Sequence, residues 1–306
     1  MSQIKGIIVP LLTPINEQEE INYEQLKNLT DYVIRGGVNG IFVNGTTGEF
    51  ARFSISERQK IARAVVEAAK GRVPVLVGVS ECGTRLVLEN VKAAEEAGAA
   101  AVVTTMPYYF PTTSVREQSE FVRDVTKSTK LPVLLYNIPA VMGYALTEEL
   151  LDLVCDIENL YGIKDSSGKK ESFDRLSERY GDKLQIFVGA EELNYYGLKN
   201  KAAGLVPSLA NTFPKVLAEI WHSSQNEDWE TCKKCCALID EMNQLNRFSD
   251  SWMSPNIWRK EALSQMGIIS ADFTSPYQAV PDKDRCKIAE WINYYKERYE
   301  NGRQVI

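Results

Sequence analysis

The sequence predicts an α/β protein, a (β/α)₈ TIM barrel with a C-terminal helical extension. Eight short apolar runs rich in β-branched residues follow one another, and most are separated by amphipathic stretches. The runs lack a clean alternation of apolar and polar residues, which is typical of strands buried on both faces. Eight strand and helix units over about 210 residues favour a closed parallel barrel, with a doubly wound sheet as the main alternative.

The eight predicted strands come first in the barrel part of the chain. In order they are "GIIVPLLTP" from Gly6, "GIFVNGT" from Gly40, "VPVLVGVS" from Val73, "AAVVTTMP" from Ala100, "LPVLLYNIP" from Leu131, "LYGIKDS" from Leu160, "LQIFVGA" from Leu184 and "AAGLVPS" from Ala202. Intervening stretches such as "SISERQKIARAVVEAAKG" carry apolar residues at i, i+3, i+4 and i+7 and end in glycine. That spacing predicts helices with one buried face.

Beyond Phe213 the pattern changes to helices with no strand between them. The helical segments are "PKVLAEIWHSS", "WETCKKCCALIDEMNQL", "WMSPNIWRKEALSQMG" and "DKDRCKIAEWINYYKERYENG". We therefore predict a barrel over residues 1–212 and a helical region over 213–306 that packs on it. No flexible linker or charge run separates the two parts, so they are expected to fold as one unit.

Composition narrows the class of partner. The chain has 306 residues, 44% of them hydrophobic and 25% charged, and a formal net charge of −6. An acidic surface attracts neither nucleic acid nor an anionic membrane, so the expected partner is a small molecule. No apolar run reaches membrane-spanning length and no secretory signal is evident at the start, so the expected location is cytoplasmic.

Cysteine and histidine give little support for a metal site. Cys232, Cys235 and Cys236 form a C-x-x-C-C cluster within a predicted helix, and no second ligand pair follows it. His222 is the single histidine, so a histidine-based triad is hard to build. We expect reduced thiols and no metal.

Lys164, in "YGIKDSSG", is the first candidate for chemistry. It lies near the C-terminal end of predicted strand 6, the end at which such barrels carry their active sites. Alternation along the strand would turn Lys164 into the barrel mouth and Asp165 away from it. Apolar walls disfavour an ammonium ion, so the neutral amine would become available to attack a ketone and form an imine. The alternative is a lysine that reaches solvent or pairs with a buried carboxylate.

Tyr136 and the segment "GTTGE" supply the other candidates. Tyr136 ends predicted strand 5 beside strand 6, and its phenol can donate or accept a proton. It could instead be a core tyrosine whose hydroxyl is satisfied by backbone. Thr46 and Thr47 follow Gly45 in a glycine-bounded turn that could bind a small carboxylate, although such turns often only cap the next helix.

These motifs together resemble a known family. "GTTGEF", "PYYFP", "YNIPA" and "GIKDSSG" occur in this order at the ends of predicted strands 2, 4, 5 and 6. They resemble the dihydrodipicolinate synthase/N-acetylneuraminate lyase family of pyruvate-dependent class I aldolases, and the resemblance covers nearly the whole chain. It implies a (β/α)₈ barrel with C-terminal helices, a homotetramer, and an imine between pyruvate and a strand-6 lysine.

By position, the resemblance assigns roles. Lys164 would form the imine and Tyr136 would transfer protons, while Gly45, Thr46 and Thr47 would hold the pyruvate carboxylate. Thr47 would also link Tyr136 to a second tyrosine from a neighbouring subunit. That tyrosine is expected to be Tyr109, although the sequence leaves Tyr108 open.

Departures from the family pattern bear on the second substrate. The synthases carry an arginine after "YNIP" for the carboxylate of aspartate semialdehyde, and this chain has Val141 there. In the sialic acid lyase branch, acidic residues after strand 7 bind sugar hydroxyls, which points to Glu191 and Glu192. A solvated helix N-terminus is the alternative for both. Further expected substrate contacts near the ends of strands 7 and 8 are Gly189, Val206 and Ser208.

The sequence therefore predicts a class I aldolase that reversibly joins pyruvate to an aldehyde. The expected substrate is a 2-keto-3-deoxy sugar acid or a sialic acid-like compound. The alternative activity is that of a 4-hydroxy-tetrahydrodipicolinate synthase, and a third possibility is a non-catalytic barrel that binds a keto acid. No cofactor is expected, because there is no dinucleotide fingerprint and an imine at Lys164 supplies the electron sink.

Overall fold

A closed barrel of eight parallel strands, arranged in the order of the chain, forms the centre of the computed structural model, which describes residues 4–244 and 254–300. Each predicted run contains one strand, so the predicted fold class is confirmed. The strands are β1 (Gly6–Pro10), β2 (Gly40–Val43), β3 (Val75–Gly78), β4 (Ala101–Thr104), β5 (Val133–Asn137), β6 (Leu160–Asp165), β7 (Gln185–Val188) and β8 (Gly204–Leu205).

Helices surround the barrel and continue beyond it. They are α1 (Tyr23–Arg35), α2 (Ile55–Ala69), α3 (Thr84–Glu96), α4 (Val115–Lys127), α5 (Pro139–Met142), α6 (Glu148–Val154), α7 (Lys170–Tyr180), α8 (Asn194–Lys199), α9 (Pro214–Gln225), α10 (Trp229–Gln244), α11 (Ser254–Gln265) and α12 (Asp282–Tyr295). Among the helices of the described residues, none has the length and apolar character needed to cross a bilayer. Of the predicted helical segments, residues 245, 252–253 and 301–302 lie outside the described ranges.

The strands have side chains buried on both faces. Every residue of β1 and of β5 is buried, since one face lines the barrel interior and the other meets the helices. This double burial explains why the sequence shows apolar runs without alternation. In the register of β5 and β6, Tyr136 lies opposite Lys164. The two candidate side chains therefore come from paired positions at the same end of the barrel.

The barrel closes between its first and last strands, where two glycines face each other. Gly6 pairs with Gly204, and a Cβ on Gly204 would lie 2.3 Å from the Gly6 carbonyl oxygen. Gly6 itself has a φ of 89°, in the left-handed region that favours glycine. Because β8 has only two residues, this seam depends on a close backbone approach that a side chain would prevent.

The C-terminal helices share one apolar core with the barrel. Phe213, just before α9, packs on Trp291 and Tyr295 of α12, with ring centroids 4.5 Å and 4.1 Å apart. Trp258 of α11 completes the cluster, with its ring 4.1 Å from that of Trp291. Since α9 directly follows β8 in the chain, it occupies the place of the barrel's eighth helix. The predicted division at residue 213 stays a prediction.

The cysteine cluster belongs to this helical region. Cys232, Cys235 and Cys236 are buried in α10, and the described cysteines form no disulfide. Within residues 4–244 and 254–300, no three histidine, cysteine or acidic side chains come together in a way that could hold a metal ion.

Candidate active site

Lys164 lies inside the mouth of the barrel. Its side chain is 5% exposed, and its Nζ is 3.8 Å from the centroid of the Tyr136 ring and 4.9 Å from that of Phe42. Gly189 makes room for it, because a Cβ at that position would lie 3.0 Å from Lys164 Cε. The amine is thus enclosed by aromatic faces from β2 and β5, the arrangement that strand alternation predicts.

The neighbouring carboxylate faces the other way. Asn137 Nδ2 donates to Asp165 Oδ1 at 2.6 Å, and Ser167 Oγ donates to Asp165 Oδ2 at 2.8 Å. Burial raises the pKa of Asp165, and these hydrogen bonds lower it in part. Asp165 is therefore engaged outside the barrel mouth, away from the Lys164 amine. The charge state of Lys164 expected from the sequence stays a prediction.

Tyr136 carries a perturbed phenol. Its complete burial raises the pKa, but the adjacent Lys164 amine and hydrogen bonds from Lys164, Ser166 and Thr46 lower it by more, so the net shift is downward. Its ring meets the edge of Phe42, with centroids 6.3 Å apart. A phenol whose anion is stabilised in this way can both give and take a proton.

The "GTTGE" segment forms a tight loop after β2. Asn44 ends the strand with a φ of 57°, and the Gly48 N–H donates to the Gly45 carbonyl at 3.1 Å. The Thr13 hydroxyl donates to the Gly48 carbonyl at 2.8 Å, which fastens the loop to the end of β1. A Cβ on Gly45 would lie 2.8 Å from the Phe42 ring, so a larger residue there would have to displace that ring. The loop is therefore held against the aromatic wall of the site.

The loop brings Thr46 to the Tyr136 hydroxyl. The expectation that Thr47 links Tyr136 to a second tyrosine stays a prediction. The left-handed Asn44 breaks the strand alternation, so face assignments cannot be continued from β2 into the turn. Thr47 is half-buried, and its expected contact with a carboxylate stays a prediction.

A fully buried ion pair anchors the same loop from the C-terminal region. Lys260 Nζ of α11 lies 2.8 Å from Glu49 Oε1, and both side chains are completely buried. Burial lowers the pKa of Lys260, and Glu49 opposes that shift. The sequence analysis assigned no role to either residue. No local signal could have joined them, because they are distant in sequence.

A second internal network joins the loops after β7 and β8. Glu191 Oε1 accepts from Ser208 Oγ at 2.8 Å and from the Leu209 N–H at 2.9 Å, while Glu191 Oε2 accepts from Asn243 at 2.8 Å. The buried Arg259 of α11 lies 3.6 Å from Glu191 Oε1. Burial raises the pKa of Glu191, and Arg259 and these hydrogen bonds lower it by more.

This network differs from the expectation for Glu191 and Ser208, which were predicted to face a sugar. In the structure the two side chains satisfy each other, and both oxygens of the carboxylate are occupied. Glu192 is exposed, and its Oε1 would lie 3.0 Å from a Cβ on Gly168 after β6. Val206 is buried next to β8, where its N–H donates to the Val188 carbonyl at 2.7 Å. Substrate contacts by these residues stay predictions.

The two tyrosines of "PYYFP" have different environments. Tyr108 is half-buried, with its ring 5.9 Å from that of Phe50. Tyr109 is 82% exposed with a φ of 73°, and the next residue, Phe110, is 75% exposed. A tyrosine with its backbone in the left-handed region, followed by a second exposed aromatic residue, is unusual on a free surface.

A cavity of about 190 Å³ adjoins the site. Thr46, which contacts Tyr136, forms part of its wall, and so does Thr105, whose buried hydroxyl has no hydrogen-bond partner among the described residues. Val141 is 49% exposed and also lines this cavity. It occupies the position at which the resemblance places the arginine of the synthases. The other lining residues are Glu49, Phe50, Ala51, Arg52, Tyr108, Ile138, Met142 and Tyr277.

The sequence analysis missed several residues that build the site. Phe42 and Ser166 contact the lysine and tyrosine pair, and Thr13 fastens the loop. Phe42 could have been found, because it lies in predicted strand 2, three residues before Gly45, and can share the inner face. Lys260 could not, because it lies in a helix that pattern alone describes only as amphipathic.

The fold and the site define a class of protein: a (β/α)₈ barrel with a buried lysine beside a tyrosine at the C-terminal ends of β5 and β6. The model of the dihydrodipicolinate synthetase family matches residues 3–294 of this chain. The chain belongs to that family, and it is a pyruvate-dependent enzyme of the lyase type.

Individual relatives agree over almost the full length. The 4-hydroxy-tetrahydrodipicolinate synthase of Sorangium cellulosum is 31% identical over 305 residues, or 98% of this chain and 99% of the relative. The solved dihydrodipicolinate synthase of Bacteroides thetaiotaomicron is 29% identical, with a TM-score of 0.89 over 95% of this chain and 98% of that one. That of Acinetobacter baumannii, solved in complex with pyruvate, is 25% identical, with a TM-score of 0.87 over the same fractions.

Proposed function

We propose that the protein is a class I aldolase that forms an imine between Lys164 and pyruvate, or a 2-keto acid that contains the pyruvate unit. The observation that carries the proposal is the buried Lys164 amine 3.8 Å from the Tyr136 ring centroid, at the catalytic end of a barrel. The family supports pyruvate as the common substrate. The imine serves as the electron sink, so the reaction we propose uses no cofactor.

In the cleavage direction, the Lys164 amine attacks the keto carbon and water leaves as the imine forms. Tyr136 then accepts the proton of the C4 hydroxyl as the C3–C4 bond breaks. The electrons of that bond move into the imine to give an enamine, and an aldehyde is released. Protonation of the enamine at C3 and addition of water return pyruvate and the free amine. The lowered pKa of Tyr136 supports this role as a proton acceptor.

The loop after β2 is proposed to hold the carboxylate of pyruvate. Thr46 and Thr47 follow Gly45 at the barrel mouth, and Thr46 also reaches the Tyr136 hydroxyl. Hydroxyl and backbone N–H donors in such a turn can bind a carboxylate with charge-assisted hydrogen bonds. Tyr109 of a neighbouring subunit is proposed to complete the proton path in a homotetramer, which its exposure supports.

There are two candidates for the aldehyde that reacts with pyruvate. The relatives named 4-hydroxy-tetrahydrodipicolinate synthase favour condensation of pyruvate with aspartate semialdehyde. Val141 favours a sugar-derived acceptor instead, because no arginine stands where the synthases bind the semialdehyde carboxylate. The engagement of Glu191 with Ser208 removes one argument for the sugar. Assays of pyruvate with aspartate semialdehyde, beside pyruvate release from a panel of 2-keto-3-deoxy sugar acids, decide between them.

The imine itself is tested with borohydride and pyruvate, followed by mass analysis of peptides. Wild-type protein is expected to gain one reduced pyruvate adduct at Lys164, and Lys164→Met is expected to gain none. Protein that stays unlabelled, or label on another lysine, would overturn the proposal and leave the keto-acid-binding barrel as the better description.

A further inference from the structure

Helix α11 directs two adjacent basic residues into the protein interior. Arg259 and Lys260 are 3% and 0% exposed, and each meets a carboxylate carried by a loop at the catalytic end of a strand. The partner of Arg259 is Glu191 after β7, and the partner of Lys260 is Glu49 after β2. Buried ionic groups are costly unless they are paired, so both contacts constrain where these loops can lie.

Both carboxylate oxygens of Glu49 accept hydrogen bonds. Its Oε1 accepts from Lys260 Nζ at 2.8 Å, while its Oε2 accepts from the Thr274 hydroxyl at 2.5 Å and from the Thr274 N–H at 3.2 Å. Lys260 also donates to the Asp272 carbonyl at 2.9 Å. Both oxygens of Glu49 are therefore held by residues that follow the barrel in sequence.

Glu49 is linked in turn to the loop that precedes it. Its N–H donates to the Thr46 carbonyl at 3.1 Å, and its φ of 60° places it in the left-handed region. For a residue with a Cβ that conformation is strained, so it persists only where surrounding contacts hold it. The side-chain contacts with Lys260 and Thr274 supply that hold.

We infer that Lys260, acting through Glu49, is a positioning residue for the Thr46–Thr47 loop. Helix α11 thereby sets the geometry in which the loop receives a carboxylate. Lys260 does not line the cavity beside Thr46, whereas Glu49 does, so its effect passes through Glu49. The inference rests on the proposed function, because it takes this loop to be the pyruvate carboxylate site. It gives one side chain of α11 an indirect role in binding.

The test compares three variants at the ion pair: Lys260→Met, Glu49→Gln and the double variant. The measurement is the pyruvate concentration that gives half-maximal borohydride trapping at Lys164, together with the maximal trapping rate. In each variant we expect the half-saturating concentration to rise about tenfold and the maximal rate to change less than about threefold, since small displacements of a binding group weaken binding strongly. The double variant removes both charges, so it should retain more stability than Lys260→Met.

Leu263→Ala is the matched control, because Leu263 is a fully buried residue of the same helix that belongs to the apolar core. It should lower Tm without changing the half-saturating concentration. Wild-type half-saturation in the double variant would overturn the inference. So would an equal rise in Leu263→Ala at equal loss of Tm. If pyruvate does not trap on wild-type protein, the proposed function fails instead, so the two failures are distinguishable.

Discussion

Lys164, Phe42 and Tyr136 come from three strands and meet because their positions share the inner face of the barrel. The two aromatic faces exclude water from the amine while offering it some electrostatic attraction as a cation. The hydroxyl of Tyr136 then receives hydrogen bonds from Lys164, Ser166 and Thr46, which favour its anion. The amine and the phenol that we propose as nucleophile and proton acceptor are thus placed side by side.

Removal of the Tyr136 hydroxyl is expected to slow proton transfer and to spare the fold. We predict that Tyr136→Phe lowers kcat by about 10²- to 10⁴-fold, the usual contribution of a positioned acid or base. Steady-state assays of pyruvate release measure it. The control is Tyr161→Phe, which removes a hydroxyl that donates to the Ile4 carbonyl near the chain start and should leave kcat unchanged. A Tyr136→Phe enzyme with wild-type kcat would contradict the role.

The lowered pKa of Tyr136 gives a second, spectroscopic prediction. Burial raises the pKa of other tyrosines such as Tyr32 and Tyr161, so Tyr136 should ionise first. Ultraviolet titration should show the first tyrosinate at a lower pH in the wild type than in Tyr136→Phe.

The free energy of unfolding should also depend on the ionisation of Tyr136. Between the lowered folded value and the unfolded value of 10.0, the native state binds fewer protons than the unfolded state. The stability of the wild type relative to Tyr136→Phe should therefore rise with pH across that window. The gain is fully present above pH 10 and is lost as pH falls through the folded pKa. Denaturant unfolding at several pH values measures it, and a flat difference would contradict the shift.

A substitution at Val141 tests whether the second substrate is aspartate semialdehyde. Val141→Arg restores a guanidinium at the cavity beside Thr46, and a charged hydrogen bond contributes about 1.5–3 kcal/mol. We expect kcat/KM with pyruvate and aspartate semialdehyde to rise at least about tenfold. Val141→Gln, which adds polar hydrogen-bonding atoms but no charge, is the control and should change it little. No response in Val141→Arg would mean that the semialdehyde carboxylate is not received at this position.

Among the elements, helix α2 connects the site loop to the outer layer. Ser54 begins it with a capping box, in which Ser54 accepts from the Glu57 N–H at 3.3 Å and Glu57 accepts from the Ser54 N–H at 2.8 Å. These hydrogen bonds lower the pKa of Glu57. The start of the helix is thereby fixed a few residues after the end of the "GTTGEF" loop.

Loss of this cap should cost about 1 kcal/mol, so we predict that Ser54→Ala lowers the free energy of unfolding by that amount at neutral pH. The contribution of Glu57 is present above its unfolded pKa of 4.5 and is lost as pH falls through the lowered folded value. The difference between wild type and Ser54→Ala should therefore shrink in acid. Denaturant unfolding measures both values, and Ser54→Thr, which keeps a capping hydroxyl, should be close to wild type.

The strands could be predicted from sequence because each is a local run of apolar residues, and this holds even for the two-residue β8. Helix α5 was missed, because four residues after a proline carry no periodicity. The hydrogen bond between Thr46 and Tyr136 could not be read from strand alternation, because the left-handed Asn44 ends that alternation before the turn. Pairing of Glu191 with Arg259 and of Glu49 with Lys260 depends on contacts between distant segments, for which local patterns hold no information.

At the scale of the whole molecule, the exposed Tyr109 and Phe110 suggest that one chain does not hold a complete site. If Tyr109 acts in a neighbouring subunit, two inactive variants should restore each other. We predict that Lys164→Met and Tyr109→Ala, each with little activity alone, regain a substantial fraction of wild-type activity when co-expressed. The hybrid contains sites with an intact Lys164 and an intact tyrosine from the partner.

The control for this experiment co-expresses Lys164→Met with Tyr136→Phe. Both of those side chains belong to one chain's own barrel mouth. In this hybrid one kind of site lacks the Lys164 amine and the other lacks the Tyr136 hydroxyl. A partner subunit supplies neither group, so no activity should return. Equal recovery in both mixtures, or none in either, would count against a shared site.

The pairing of Gly6 with Gly204 at the seam between β1 and β8 has a consequence for folding during translation. β1 is made before the other seven strands, yet its second neighbour β8, which pairs through Gly204, is the last of the eight to be made. Until then the nascent sheet has unpaired edges, and edges of that kind invite aggregation. Gly204→Ala would leave those edges open in the finished chain, so its first symptom in the cell should be inclusion bodies rather than a slower enzyme.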